Sequence, residues 1–75
     1  MTLHEYLKEM DKVTQDAFAR RCRTSVGQLR QVSYGHRRAG AALAVSIERE
    51  SSGSVTCEVL RPDIDWAYLR SSKAA

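Results

Sequence analysis

Arg20, Arg21, Arg23, Arg30, Arg37 and Arg38 all lie between Ala17 and Ile47, a stretch that contains no aspartate or glutamate. A solvated face normally carries both signs of charge, so an acid-free run of guanidinium groups points to a polyanionic partner. The guanidinium fork suits that role because it can pair with two oxygens at once. Two neighbouring side chains suit base edges as well. Arg30 can address O6 and N7 of guanine and Gln31 can address N6 and N7 of adenine, while Val26 could meet a thymine methyl. After Gly35 and His36, Arg37 and Arg38 form a basic connector fitted to phosphate.

Other chemistries find little support. His4 and His36 are far apart, with no carboxylate or cysteine at catalytic spacing, and no nucleophile motif surrounds a serine. Cys22 and Cys57 make no CxxC or Cys/His cluster and read as small buried hydrophobes. The expectation is a protein that binds rather than catalyses, with no cofactor and no metal.

The arginines need a scaffold, and 75 residues allow one domain, taken as 1–70, with a polar tail over 71–75 that frays. A domain this small buries only about 60% of the surface its unfolded chain exposes, so a homodimer is expected as a source of further stability. Hydrophobic and charged contents of 43% and 28% are those of an ordinary globular chain. No apolar run approaches the roughly 20 residues of a membrane span, and residues 1–10 lack a signal-peptide pattern. The expected setting is the cytoplasm, away from membranes.

Thr2 and Glu5 have the form of a capping box, after which Leu3, Tyr6, Leu7 and Met10 make one apolar helical stripe. Thr14 is expected to cap a second helix from Gln15 to about Cys22, with Val13 stapled to Phe18. Ser25 and Gln28 have the box form again, so Arg23 and Thr24 become the turn into a third helix that Gly35 ends. A fourth helix is expected over about Ala41 to Ser51, stopped by Gly53. Beyond it Val55, Cys57 and Val59 alternate as a strand would, whereas Val55, Val59 and Leu60 with a Thr56 cap fit a helical turn equally well. The short helix is preferred and the strand kept open. Pro62 breaks this element, and Ile64, Trp66, Tyr68 and Leu69 follow, fit either to close the core or to form a dimer seam.

Two helices joined by a tight turn, with a helix on either side, form the layout of a DNA-binding helix-turn-helix. The chain resembles the Cro and phage-repressor class, and most closely the Cro-like YdaS antitoxin group. The likeness runs from Leu3 to Trp66. It rests on the run from Gln15 to Cys22, then Ser25, Leu29, Gln31 and Gly35 to Arg38, and finally Gly53 to Thr56, Leu60 to Asp63 and Trp66. It implies an all-α, lambda-repressor-like bundle of about five short helices. It further implies that Gln15 touches a phosphate and braces the recognition helix, and that Val26, Gly27, Gln28, Arg30 and Gln31 face the bases. Arg23, Ser25, Arg37 and Arg38 would join Gln15 on the backbone. The turn position commonly filled by glycine is Arg23 here, at a cost of roughly 1 kcal/mol if the backbone must take positive φ.

The function expected is sequence-specific binding of double-stranded DNA by a homodimeric repressor of Cro or prophage antitoxin type, with Ile64, Trp66, Tyr68 and Leu69 in the dimer seam. The alternative is a module that binds a protein partner through the same apolar tail.

Overall fold

The computed structural model describes residues 1–69. Five helices follow in order: α1 (Leu3–Lys8), α2 (Lys12–Arg21), α3 (Val26–Ser33), α4 (Ala41–Glu50) and α5 (Cys57–Leu60). Residues 66–69 are helical too, and no strand occurs among the described residues. Residue 70 and the tail over 71–75 lie outside them. The all-helical expectation holds. Between the two readings of residues 55–60 the helix prevails, because the Thr56 hydroxyl accepts the Val59 N–H at 3.3 Å and so satisfies a first-turn donor.

The Thr2 capping box forms in both directions, with the Thr2 N–H on Glu5 Oε1 at 2.9 Å and the Glu5 N–H on Thr2 Oγ1 at 3.2 Å. The second helix departs from expectation: Asp11 caps it, not Thr14. The Asp11 carboxylate accepts the Thr14 N–H at 2.8 Å, so α2 begins almost a turn earlier and Thr14 becomes a first-turn residue. A carboxylate also complements the positive end of the helix dipole, an advantage a threonine lacks. With that register the staple disappears, and Val13 is 77% exposed.

Three helices end in the same way. The third residue past the helix donates to a carbonyl five residues back: Thr24 to Ala19 at 2.9 Å, His36 to Gln31 at 3.0 Å and Gly53 to Glu48 at 2.9 Å. Such a closure needs a left-handed residue just before the donor. After α3 that residue is Gly35, at φ 81°. After α2 and α4 it is Arg23, at φ 59°, and Ser52, at φ 54°. Gly53 therefore follows the left-handed stop of α4 and is not that stop itself.

Phe18, Ala19, Cys22, Leu29, Ile47 and Val55 are buried together with Leu3 and Leu7, which locks α1 to α4 around one core. Ala19, a small residue of α2, is 2% exposed within this core. Truncating Leu29, which is fully buried, would cost about 2–5 kcal/mol through lost burial and a residual cavity. Ala44, Cys57 and Trp66 form a second cluster with Leu60 and Ile64 against it, fastening the C-terminal segment to α4. Both cysteines are free and buried, as read from the sequence.

Candidate nucleic-acid interface

α2 and α3 are separated by Cys22–Ser25, and the Ala19 carbonyl's bond to Thr24 fixes the turn between them. Ser25 then caps α3 by accepting the Gln28 N–H at 3.2 Å. That bond uses only a lone pair of the hydroxyl, so the Ser25 O–H remains a donor available to a phosphate oxygen.

Of the five side chains assigned to base readout, Gly27, Gln28, Arg30 and Gln31 are exposed along α3, while Val26 is half-buried and packs against the core. Nothing in the fold demands glycine at position 27. A Cβ there would meet only Ser25 Oγ, at an ordinary 3.9 Å.

Gln15 is the junction of three helices. Its amide Nε2 donates to the carbonyl of Leu7 in the last turn of α1 at 2.8 Å and to that of Met10 just past the helix at 3.4 Å. Its Oε1 accepts from Arg30 Nη2 on α3 at 3.4 Å. One side chain on α2 thus ties the end of α1 to Arg30 of α3, the geometry of the bracing role the resemblance implied.

The other arginines divide by partner. Arg21 pairs with Glu50 at 3.1 Å, and Glu50 also receives Arg49 at 3.1 Å, so the acid-free stretch is partly answered by acids from the flank. Arg21 lies over the Phe18 ring as well, 5.7 Å from its centroid. Among the described residues Arg20, Arg23 and Arg37 have no carboxylate within ion-pair distance. Arg38 stands 3.8 Å from Asp63 and is largely exposed.

Asp63 belongs chiefly to Arg61. Arg61 Nε and Nη2 reach its two oxygens at 2.9 and 2.8 Å, and Arg61 Nη1 donates to the Ala39 carbonyl at 2.9 Å. Those contacts, led by the Arg61 hydrogen bonds, draw the Asp63 carboxyl down from an ordinary 3.8 to about 2. Trp66 completes the arrangement by donating its indole N–H to the Arg61 carbonyl at 2.8 Å. The connector that carries Arg37 and Arg38 is therefore pinned at Ala39 by the C-terminal segment. The sequence reading missed this clasp, and its one local signal was the adjacency of Arg61, Pro62 and Asp63.

The four seam residues separate as well. Trp66 is buried in the chain's own core and Ile64 half-buried against it, leaving Tyr68 at 62% and Leu69 at 50% exposure as the apolar side chains that reach solvent. Among the described residues no group of three or more metal-ligating side chains occurs, and no helix is long and apolar enough to cross a membrane.

Comparisons with known proteins bear out the resemblance to the YdaS group. A profile of the family described as the bacterial toxin YdaS matches residues 10–69. A YdaS protein of Escherichia coli strain K12, provisionally named a transcriptional regulator, is 47% identical over 58 residues, which are 77% of this chain and 59% of that relative. The match thus spans about three fifths of the relative's length. No solved structure matches.

Proposed function

This chain belongs to the YdaS family, and from that premise we propose that it is a sequence-specific DNA-binding regulator of transcription. In this reading a homodimer binds a pseudo-palindromic operator in the cytoplasm and represses by occupying a promoter, in the manner of Cro or a prophage regulator, without enzymatic activity. The observation that carries the reading is the Gln15 junction. A helix-turn-helix whose first helix holds the arginine of the second presents α3 as a rigid unit, as major-groove entry requires. The regulator name of the matched relative supports the same conclusion.

In the complex α3 of each protomer enters one half-site, the two lying about one DNA turn, roughly 34–36 Å, apart. Arg30 and Gln31 address bases with Val26, Gly27 and Gln28 beside them, while Gln15, Arg23, Ser25, Arg37 and Arg38 grip the backbone. Tyr68 and Leu69 supply the seam. Selection of bound duplexes from a random pool tests this directly. Recovery of a palindrome gives sequence preference, symmetry and half-site spacing together; a pool that stays random, or binding indifferent to salt, overturns it.

The exposed pair Tyr68 and Leu69 also favours a second reading, a protein partner bound through that apolar surface with DNA incidental. The family's description as a toxin gives that reading weight. Under it, a Tyr68→Ser/Leu69→Ser variant loses its partner but holds duplex DNA as before.

A further inference from the structure

His4, at the start of α1, faces Tyr34, the residue that ends α3, with ring centroids 5.9 Å apart. Tyr34 in turn meets His36 of the connector edge-on at 6.2 Å. All three side chains are exposed, and nothing in the core requires this cluster.

Its position is informative. His4 and Tyr34 line two neighbouring grooves. One, of about 250 Å³, also holds Lys8, Gln15 and Arg30; the other, of about 620 Å³, also holds Arg37 and Arg38. The aromatic cluster therefore bridges the two sets of residues assigned to the DNA backbone, Gln15 on one side and the connector arginines on the other. A strip that runs from cation to cation across two imidazoles and a phenol has donors along its whole length. Imidazole is the side chain whose charge changes between about pH 5 and 8, and a protonated ring donates from both nitrogens.

We infer that His4, Tyr34 and His36 form a continuous sugar–phosphate contact between Gln15 and Arg37, and that proton uptake by the two histidines strengthens the grip on DNA. This rests on the DNA-binding reading above. The charges around the cluster fit a contact that pulls protons in. Lys8 and Arg30 face it from one groove and Arg37 and Arg38 from the other, so a phosphate chain laid along the strip meets cations at both ends and is an anionic partner for each proton added between them. Of the nearby acids, Glu5 is held by the Thr2 N–H, Asp63 is held by Arg61, and Glu58 lies on α5, whose Val59 and Leu60 line the larger groove.

The test is a salt titration of binding to a mixed-sequence DNA duplex, made at about pH 7.5 and about pH 5.5 with wild type and with a His4→Gln/His36→Gln variant. The wild-type slope of log K against log salt steepens at the lower pH by up to about 1.8, at roughly 0.9 per imidazolium–phosphate contact. The double variant keeps one slope at both values. Tyr34→Phe weakens binding at both pH values without altering their difference. Because these side chains are exposed, the variants fold as the wild type does. With only two histidines in the chain, proton resonances of both rings report directly: both titrate at higher pH in the complex than free. A wild-type slope that ignores pH, or a double variant that keeps the full change, overturns the inference and leaves DNA binding standing. Absence of duplex binding at both pH values overturns the DNA reading itself and this contact with it.

Discussion

Arg61 and Asp63 meet through two parallel contacts of 2.9 and 2.8 Å, while a third guanidinium nitrogen holds the Ala39 carbonyl at the far end of the basic connector. The geometry is the bidentate fork of arginine on a carboxylate, which a lysine in place of Arg61 cannot reproduce.

Acid should undo this clasp over a definite range. A carboxyl depressed in the folded state stabilises above its unfolded pKa, and that stabilisation is lost as pH falls through its folded value. For Asp63 the window runs from 3.8 down to about 2. Glu5, held down by Thr2, and Asp11, held down by Thr14, act in the same direction. Thermal unfolding followed from pH 6 downward should show Asp63→Asn flattening the profile below about pH 4. A variant with the wild-type acid profile would remove Asp63 from this role.

Arg23 occupies a left-handed position at φ 59° that costs a non-glycine residue about 1–2 kcal/mol. Arg23→Gly relieves that strain but gives the unfolded chain more freedom, so the net gain should be about 0.5–1 kcal/mol. At Gly35, φ 81°, the reverse change to alanine should cost about 1–2 kcal/mol. Denaturant midpoints of the two variants should move in opposite directions.

Gly27 separates folding from binding. It lies in the first turn of α3 with room for a Cβ, so Gly27→Ala should stabilise by about 0.4–1 kcal/mol. If α3 seats deeply in a groove at that point, the same methyl should weaken operator affinity. A rise in melting temperature with unchanged affinity would place Gly27 outside the contact.

Replacing Arg30 or Gln31 with alanine should alter preference by about 1–3 kcal/mol at one base pair. Arg37→Ala should instead weaken all duplexes alike and lower the salt slope by about 1. A footprint compared across single-base operator variants distinguishes the two patterns.

Gln15→Ala removes donors to Leu7 and Met10 and the acceptor for Arg30. Loss of the short bond to Leu7 should cost about 1 kcal/mol of stability. Hydrogen exchange at the end of α1 should quicken, a change that a residue serving phosphate alone would not produce.

What could be read from the chain in advance was whatever local chemistry dictates. Thr2 with Glu5, Ser25 with Gln28 and the glycine after α3 each act within five residues, and the helices they bound appeared as expected. Thr14 misled because Asp11, three residues earlier, also caps and adds a charge the dipole favours. Sequence left Trp66 undecided between core and seam, since an indole suits either until Ala44 and Cys57 are seen beneath it. The bond from Arg61 to Ala39 spans 22 residues, beyond any periodicity or capping rule. Separation in sequence likewise hid the ring pair of His4 and Tyr34, which joins the first helix to the end of the third.

The bond from Arg61 to Ala39 also bears on the order in which the protein becomes competent. α3 packs against both α1 and α2, and α2 against α4, so these helices can assemble once α4 is in place. The connector stays untied until residues 61–66 arrive, with Trp66 seated and its indole N–H on the Arg61 carbonyl. The helix-turn-helix can therefore take shape before the loop beside it is fastened. A chain truncated before Trp66 should carry a recognition helix on an unsteady mount.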